Sequence, residues 1–404
     1  MQPDAKYNII CLSNQLWDYP NWTNKRHVMH RLASSGHKVL FVDPPVNFGR
    51  VLLRQFLRGL FTLTRLLKGY KIDESSARIY TPVNLLPFHN ITSASHLKKI
   101  ASLSRDFFDP SSKTVLWIYH VQLKGLQRYI ETIKYDVLVY DCVDNYDAFP
   151  EETSPFRTSV YGQELKVQET ALAQRANVVF ASAPGLVDKL KKHSNHVYFT
   201  PNVGDYPRFK DTKKYKDQIP QDLASIPRPR IGTIGAVDSY KFDAELYKYI
   251  AQQNPSFSFV LIGPMGLKDK NATLDSIGLG GLSNVYYLGS RPYEQKYLYM
   301  AGFDVDIIPY VISDYTVGGC FPVKFHDSLA AGLPVVVTDL PAYSPFRDVC
   351  YISKSYTEFS QNIKKALQED NDDKIKQRQE VARQNDWDGK VQKMLQLIHD
   401  SLVK

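Results

Sequence analysis

The stretch GGCFPVKFHDSLAAGLPVVVTD, residues 318–339, carries the pattern that decides the fold. Its apolar end, PVVV, predicts a buried strand, and Pro322 and Gly332 are typical of the start and the end of a helix before that strand. Gly318 and Gly319 precede the helix, so we expect them in a loop that leads into the helix N-terminus. Backbone N–H groups and the helix dipole make such a place suitable for an anion.

Two charged residues of this predicted helix fit an anion site. Lys324 falls in the first turn, where its ammonium would add a full positive charge. Asp327 follows one turn later and could accept hydrogen bonds from sugar hydroxyls. An isolated Lys-x-x-Asp pattern is more typical of a solvated helix, but the flanking glycines, the proline and the LAAG-x-PVVV sequence favour a binding site.

Short apolar runs alternate with helical patterns along both halves of the chain. In the first half, strands are predicted at 7–12, 38–42, 114–119, 136–141, 177–182 and 196–200. In the second half, they are predicted at 230–235, 257–263, 284–289, 304–310, 334–339 and 349–353. Continuous apolar strands separated by helices favour parallel sheets covered on both faces. The sequence therefore predicts an α/β protein with two doubly wound, Rossmann-like domains.

We place the domain boundaries at 1–205, 206–383 and 384–404. Residues 201–230 are rich in proline and charge and poor in periodic apolar positions, which indicates a connection between the domains. The last range predicts an amphipathic helix that returns to the first domain. Its apolar face is expected to comprise Trp387, Val391, Met394, Leu395 and Ile398.

The composition restricts the partners and the compartment. The formal net charge of +8 favours anionic partners, namely nucleic acid, phosphorylated small molecules or anionic lipid. The four cysteines show no CxxC spacing, so we expect neither structural zinc nor a disulfide framework. The sequence shows no signal peptide and no run of the roughly 20 apolar residues that a spanning helix needs. We therefore expect a cytoplasmic protein.

The motifs together resemble those of glycosyltransferases with the GT-B fold. FPVKFHDSLAAGLPVVVTDLP (321–341) is similar to the family signature P-x-K-x-x-E-x-L-A-x-G-x-P-V-V. NVYYLGSRPYEQKYLYMAGFDVDIIPY (284–310) and the tail NDWDGKVQKMLQLI (385–398) resemble two further stretches of these enzymes. The resemblance is to bacterial enzymes of cell-surface glycan synthesis, including family 4-like enzymes and teichuronic acid glycosyltransferases. It implies two domains that face each other across a cleft.

The resemblance also implies a nucleotide-sugar donor, most simply a UDP-sugar, and no further cofactor. By their positions in the family pattern, Lys324, Lys241, Tyr310 and the glycine pair would bind the donor phosphates. Asp327 would receive the ribose hydroxyls. The residues expected to pack on the base are Arg291, Pro292 and Tyr293.

One departure from the family pattern bears on the stereochemistry of transfer. Retaining members carry two glutamates eight positions apart, but these positions are occupied here by Gly319 and Asp327. Inverting transfer instead needs one carboxylate as a general base. The loop in 137–150 resembles that of inverting polysaccharide enzymes, including the xanthan glucuronosyltransferase, whose aspartate aligns with Asp144. We therefore predict Asp144 as the base, with Asp141 as the second choice.

Several alternatives stay open at this point. The chain could be a retaining glycosyltransferase, a sugar-nucleotide epimerase of the same fold, or a catalytically silent protein that binds a nucleotide sugar. Nucleic-acid binding ranks last, because the sequence has no recognisable nucleic-acid-binding module. The motif Asp304–Val305–Asp306 spells a metal-binding DxD, but it begins a predicted buried strand, so we expect no catalytic metal.

Two regions of the first half are expected to face the acceptor or the membrane. The aromatic and polar loop 13–27 offers Trp17, Trp22, Arg26 and His27 as candidates for the acceptor side. Residues 50–71 have arginines at every fourth position opposite bulky apolar residues, which is typical of a helix that lies on an anionic membrane. An ordinary domain helix fits the same pattern. We expect a glycan or lipid-linked acceptor and peripheral binding to the inner membrane face.

Overall fold

The computed structural model describes residues 5–19, 22–47, 69–84, 89–146, 160–265, 272–319 and 321–403. The chain divides into two compact units. The first unit comprises Met1–Thr200 with Val391–Lys404, and the second comprises Pro201–Lys390. Each unit is built around its own β-sheet.

In the described part of the first unit, eight strands form one sheet in the order β10-β9-β8-β7-β1-β2-β5-β4. All neighbours in it are parallel except β4 and β5, and β3 pairs with β6 separately. The strands are β1 (Asn8–Leu12), β2 (Lys38–Val42), β3 (Val46–Asn47), β4 (Lys71–Ile72), β5 (Arg78–Tyr80), β6 (Val83–Asn84), β7 (Thr114–Ile118), β8 (Val137–Cys142), β9 (Val178–Ala181) and β10 (Val197–Phe199).

Helices connect these strands and cover the sheet. They are α1 (Asn24–Ser34), α2 (His89–Arg105), α3 (Leu126–Thr132), α4 (Gly162–Arg175) and α5 (Pro184–Lys191). Every residue of the central strands β1 and β8 is buried. These strands are mostly apolar because a parallel sheet is covered on both faces.

The second unit contains an all-parallel sheet in the order β13-β12-β11-β14-β15-β16. Its strands are β11 (Arg230–Ile234), β12 (Ser258–Ile262), β13 (Val285–Gly289), β14 (Val305–Ile308), β15 (Val335–Thr338) and β16 (Tyr351–Ser353). Its helices are α6 (Tyr206–Phe209), α7 (Gln221–Ala224), α8 (Ala244–Gln253), α9 (Lys296–Met300), α10 (Asp314–Gly319), α11 (Val323–Ala330), α12 (Tyr356–Glu369) and α13 (Asp372–Gln384).

The core of the second unit lies between its sheet and the two helices α8 and α12. Ile231 of β11 and Phe259 of β12 are fully buried there, together with Leu246 of α8 and Ile363 of α12. Asp243 begins α8 by accepting a hydrogen bond from the Leu246 N–H, as an aspartate at this position commonly does. The predicted fold class, α/β with two doubly wound sheets, is confirmed.

The last helix, α14 (Trp387–Val403), confirms the predicted amphipathic pattern. Trp387, Val391, Met394 and Ile398 are buried, and Leu395 is half-buried. Within the first unit, the His399 ring nitrogen lies 3.1 Å from the Tyr7 hydroxyl. Among the helices the structure describes, none has the length and apolar character needed to cross a bilayer.

Two features of the fold differ from the sequence prediction. The short antiparallel pair β4 and β5 was not predicted, because strands of two and three residues carry too little pattern. Residues 201–230 are not a plain connection. They belong to the second unit and form α6, a 3₁₀ turn at Thr212–Gln218 and α7.

Candidate functional site

The candidate donor site lies in the second unit, where the parallel strands end. Gly235 follows β11 with a φ of 143°, and Gly263 follows β12 with a φ of 146°. A Cβ atom on Gly263 would lie 1.9 Å from the Gly235 carbonyl oxygen. Only glycine fits this close approach of two loops. Sequence analysis missed both residues as site residues, although each is the last residue of a predicted strand.

The loop after β11 is held on both sides by backbone hydrogen bonds. The Gly235 N–H donates to the Ile262 carbonyl over 2.8 Å. The Lys241 carbonyl accepts from the Val311 N–H over 2.9 Å. This loop therefore carries Lys241 at a fixed position between the chain segments that follow β12 and β14. The Lys241 ammonium lies 5.3 Å from the centre of the neighbouring Tyr240 ring.

Lys324 meets Tyr310 and Gly235 at this edge. It lies in the first turn of α11, which begins after Pro322 as predicted. Its Nζ atom is 4.8 Å from the centre of the Tyr310 ring and 3.4 Å from the position that a Cβ atom on Gly235 would take. A half-buried lysine thus lies in the first turn of a helix beside the loop that carries Gly235, an arrangement suited to a phosphate.

The glycine pair is placed differently from the prediction. Gly318 and Gly319 are the last residues of helix α10, so the prediction of a loop is wrong. Helix α10 begins at Asp314, before the glycine pair. Ser313 and Thr316 stabilise its start, because the backbone N–H of each donates to the hydroxyl of the other, over 2.9 and 3.3 Å. The role of the glycines in phosphate binding stays a prediction.

Asp327 is enclosed within the second unit. Its residue is 1% exposed, and its Oδ1 atom accepts a hydrogen bond from the Asp205 N–H over 3.0 Å. Its Oδ2 atom lies 3.7 Å from the Lys296 ammonium. Burial raises the pKa of Asp327 to about 6. In this structure the carboxylate is an internal acceptor, and its contact with a ribose stays a prediction.

The segment predicted as an interdomain connection provides this enclosure. Besides Asp205, it carries Asn202, whose amide donates to the Phe321 carbonyl over 2.9 Å. A Cβ atom on Gly204 would lie 2.8 Å from the backbone of His326. The segment begins at the boundary between the two units, but its packing within the second unit was missed for a physical reason. This segment is held by polar contacts and close backbone packing, which produce no apolar periodicity.

The predicted base-binding residues are also tied to that segment. Arg291 donates to the Asp222 carboxylate over 2.5 Å and, through Nε, to the Tyr299 hydroxyl over 2.6 Å. The hydrogen bond to Asp222 raises the pKa of Arg291. Tyr293 is 3% exposed, and its hydroxyl donates to Asp205 over 3.1 Å. Pro292 precedes the 3₁₀ turn that carries Tyr293.

His326, between Lys324 and Asp327, belongs to the core. It stacks on Phe321 with ring centres 5.3 Å apart, and its residue is 1% exposed. Burial lowers its pKa to about 3, so the ring is neutral at neutral pH. This side chain has a packing role.

The two aspartates of the DxD sequence have separate protein partners. Asp304 forms an ion pair with Arg228 and accepts the Arg230 N–H over 2.7 Å. Asp306 is buried and accepts the Ser328 hydroxyl over 2.6 Å. Their arrangement is that of structural carboxylates.

A group of possible metal ligands lies elsewhere, in the first unit. Ligand atoms of His30, Asp73 and Glu74 lie within 4.8 Å of one another. The His30 Nε2 atom is 3.5 Å from Glu74, whose side chain is 77% exposed. Exposed acidic groups commonly lie this close together without an ion, so we assign no metal to this group.

In the first unit, the two predicted base candidates differ in exposure. Asp141 lies in β8, is 2% exposed and accepts the Trp117 indole N–H over 3.2 Å. Asp144 lies just beyond the strand and is half-buried, and its carbonyl accepts a weak hydrogen bond from the Cys142 thiol at 3.6 Å. Asp144 is thus the more accessible carboxylate of the two. Asp147 lies outside the described residues.

Sequence analysis missed Lys25 and His120, which lie at the same edge as these aspartates. Lys25 is 7% exposed in the first turn of α1. Burial lowers its pKa, whereas Asp144 and Asp141 oppose this effect. Burial, with a smaller contribution from Lys25, lowers the pKa of His120 to about 3. In the sequence, Lys25 is one of several basic residues in NKRH, and nothing there marks it as buried.

Several of the predicted acceptor-side residues are buried or lie in a helix instead of an open loop. Helix α1 begins at Asn24, so the loop predicted for 13–27 ends earlier and Arg26 and His27 are helical. His27 is 0% exposed and its ring centre lies 5.2 Å from that of Trp22. The Arg26 guanidinium lies 4.2 Å from the centre of the Trp22 ring.

Trp17 is a core residue of the first unit. It is 1% exposed, and its indole N–H donates to the Asp73 carboxylate over 2.9 Å. Its ring meets Phe41 edge-on at 4.9 Å. The contact of Trp17 with an acceptor stays a prediction. Most of the proposed membrane segment, residues 48–68, lies outside the described residues.

The folds of solved proteins define the class to which this chain belongs. Sucrose-phosphate synthase from Thermosynechococcus elongatus is similar over 98% of both chains, with a TM-score of 0.65 and 13% identity. HepE from Anabaena, solved in complex with UDP and glucose, is similar over 97% of this chain and 99% of its own, with a TM-score of 0.63 and 14% identity. The chain has the GT-B fold.

Sequence comparison is more specific. Residues 228–369 match the family described as Glycosyl transferases group 1. TuaH of Bacillus subtilis (strain 168), whose name assigns it to teichuronic acid biosynthesis as a glycosyltransferase, is 30% identical over 263 residues. That match spans 63% of this chain and 64% of TuaH. The second unit thus carries a glycosyl transferases group 1 domain, and the chain is a homologue of TuaH. The predicted resemblance is confirmed.

Proposed function

We propose that this protein is a glycosyltransferase that moves a sugar from a nucleotide-diphosphate sugar to a glycan or lipid-linked acceptor in cell-surface polysaccharide synthesis. The meeting of Lys324, Tyr310 and Gly235 within the group 1 domain carries the proposal. UDP-sugars are the donors that we propose, since HepE, which has a similar fold, was solved in complex with UDP. A cytoplasmic location at the membrane surface fits such an acceptor.

The proposed donor site acts mainly on the leaving group. When the bond between the sugar and the diphosphate breaks, negative charge grows on the phosphate oxygens. The Lys324 ammonium and the N-terminus of α11 would stabilise that charge. Gly235 carries no side chain, so a phosphate could approach the loop after β11 closely. We assign no step to a metal ion.

We propose inversion, with Asp144 as the general base. Asp144 would take the proton of the acceptor hydroxyl as the hydroxyl oxygen attacks the anomeric carbon. Its half-buried position makes it the better candidate than the enclosed Asp141. The glycine at position 319, where retaining relatives carry a glutamate, supports inversion over retention.

Two measurements test the function. Thermal shift with UDP, GDP and ADP should identify the base, because a ligand that binds the folded state raises its melting temperature. The matching nucleotide sugars, supplied with membrane extract as the acceptor source, should then yield a product whose anomeric configuration by NMR is opposite to that of the donor. A product of unchanged configuration would exclude inversion. Nucleotide binding with neither transfer nor hydrolysis would favour the silent binding protein.

A further inference from the structure

A polar cavity lies beside β16, the last strand in the sheet of the second unit. This cavity, the β16 cavity, is lined by residues 347–352 and by residues of helices α12 and α13. Its volume of about 330 Å³ is at the lower end of the range for small-molecule pockets. Residues 347–350 precede β16 and so lie at the amino edge of the parallel sheet, whereas Lys324 lies at the carboxyl edge. The β16 cavity is therefore separate from the proposed donor site.

The lining of the β16 cavity carries more positive than negative charge. Its two acidic residues are Asp348 and Glu358, and a Glu358 oxygen already accepts the Lys354 N–H over 2.8 Å. Its four basic residues are Arg347, Lys365, Lys374 and Arg378. Four cations against two carboxylates favour an anionic ligand.

Arg378 is the enclosed member of this basic set, since its side chain is 3% exposed. Its Nη2 atom donates to the Gly332 carbonyl over 2.9 Å and to the Asp370 carboxylate, which also lies 3.6 Å from the Lys213 ammonium. The Nε atom of Arg378 is buried and has no hydrogen-bond partner among the residues that the structure describes. Leaving a buried donor unpaired is costly, and native proteins rarely do so. An acceptor oxygen of a ligand in the β16 cavity would satisfy this donor.

Two lysines lie close to Tyr351 in the wall of the β16 cavity. The Nζ atoms of Lys365 and Lys374 are 5.9 and 5.8 Å from the centre of the Tyr351 ring. Both lysines also pair with Glu369, with Nζ–O distances of 3.8 and 2.7 Å. One carboxylate shared by two ammonium groups does not balance their charge. The remaining positive charge is available to a ligand in the cavity.

We propose that the β16 cavity binds a small, soluble molecule that carries a phosphate group. The phosphate would accept a hydrogen bond from the Arg378 Nε–H, and the ammonium groups of Lys365 and Lys374 would balance its charge. A phosphate group offers three acceptor oxygens and a charge of about −1.5 to −2, so it can interact with several cations at once.

The test follows the Arg378 Nε–H group by NMR in the full-length, ¹⁵N-labelled protein. The chain also carries Lys324→Met, which weakens binding at the proposed donor site, and Arg378→Lys identifies the Arg378 signal by its loss. Inorganic phosphate, added in phosphate-free buffer, should shift this signal until it saturates. The Arg230 Nε–H signal, assigned in the same way, is the internal control, because this Nε already donates to the Ile226 carbonyl over 2.7 Å. The Arg230 signal should not move.

A lysine variant measures the contribution of the wall. Lys374→Met should raise the phosphate dissociation constant about 10-fold or more, because a charged partner is lost. Lys376→Met is the matched control, since it removes an exposed lysine of α13 that lies outside the lining. An Arg378 signal that ignores phosphate would overturn the proposal, and so would equal weakening in the two variants. If Lys374→Met does not fold, Lys365→Met is measured by the same criteria.

A second experiment distinguishes a soluble phosphate compound from a lipid headgroup. The wild type and Lys374→Met are sedimented with vesicles that contain phosphatidylglycerol. The two proteins should bind the vesicles equally, because the proposed ligand is soluble. Weaker sedimentation of Lys374→Met, with no such loss in Lys376→Met, would assign the β16 cavity to a lipid headgroup and contradict the proposal.

Discussion

The two sheets of this protein end in different chemistry at equivalent edges. At the carboxyl edge of the first unit, Lys25 and Asp141 are enclosed and Asp144 is half-buried. At the carboxyl edge of the second unit, Gly235 and Gly263 bring two loops together beside the half-buried Lys324. The same α/β architecture thus carries a cluster of opposite charges in one unit. In the other unit it carries a lysine beside two glycine loops.

The difference shows what each edge can do. A phosphate site needs accessible positive charge, and the Lys324 side chain at the second edge is half-buried. A general base needs an accessible carboxylate, and Asp144 at the first edge is half-buried. Ligands of doubly wound sheets bind at this edge, but the residues after each strand decide which ligand fits. The predictions below separate the two edges.

The largest effect should come from Asp144→Asn in the first unit. Removal of a general base typically costs about 10²–10⁴-fold in rate, whereas the donor site in the second unit is left intact. We therefore expect transfer to fall by this factor and UDP affinity to stay unchanged. Transfer rate and calorimetric UDP binding on the same preparation measure the two quantities.

Asp188→Asn provides the control for that variant, since it alters an exposed aspartate on α5 of the same unit. It should transfer sugar at the wild-type rate. If Asp144→Asn lost UDP affinity together with transfer, the proposed assignment of the base to the first unit and of donor binding to the second would be wrong.

The next effect concerns the glycine loops of the second unit. In Gly263→Ala, the new Cβ atom would lie 1.9 Å from the Gly235 carbonyl oxygen at a φ of 146°. We expect a loss of about 3 kcal/mol in the free energy of unfolding, the range of strained backbone positions. Gly281→Ala is the control, because its φ is also positive, 75°, but a Cβ atom there meets nothing within 4 Å. Denaturant unfolding should show a clearly smaller loss for the control.

Lys324→Met tests how much the Lys324 ammonium contributes to UDP binding. A hydrogen bond between charged groups contributes about 1.5–3 kcal/mol, so the UDP dissociation constant should rise about 10- to 100-fold. Lys364→Met removes an exposed lysine of α12 and should bind UDP like the wild type. Uridine, which lacks phosphates, should bind the Lys324 variant and the wild type equally weakly. A selective loss of uridine binding would place Lys324 at the base instead.

Much of the fold could be predicted from the sequence. Strands such as β12 and β15 are runs of Val, Ile and Leu bounded by Gly, Pro or Asp, and buried parallel strands require such runs. The start of α11 was predicted from Pro322, since proline favours the first helical turn. These signals are local, so a single sequence contains them.

The site was harder to predict, because its decisive contacts join distant residues. Asp327 and Tyr293 both resemble binding residues, yet Asp205, in the segment predicted as a connection, accepts from the tyrosine and donates to the aspartate. Lys25 likewise lies more than 100 residues from the aspartates it faces. From a sequence alone, charged residues are predicted to be exposed. Only the fold shows which of them are enclosed.

The smallest expected effect compares the buried carboxylates with respect to pH. Burial raises the pKa of Asp327 in the second unit to about 6, above the usual aspartate value of 3.8. Between about pH 4 and pH 6 the folded state therefore binds more protons than the unfolded state, so this residue favours folding below pH 4 and loses that contribution as the pH rises through 6.

Asp327→Asn removes this titration. From pH 4.5 to pH 7, the unfolding free energy of the wild type should therefore fall by about 1–3 kcal/mol relative to that of the variant. Asp217→Asn, an exposed position in the same unit, should follow the wild type across this range. Denaturant titrations at several pH values measure the difference. If the unfolding free energies of Asp327→Asn and the wild type changed equally with pH, the Asp327 carboxylate would be in contact with water. A residue that binds a ribose needs such access, so the second edge would then be more open than its packing indicates.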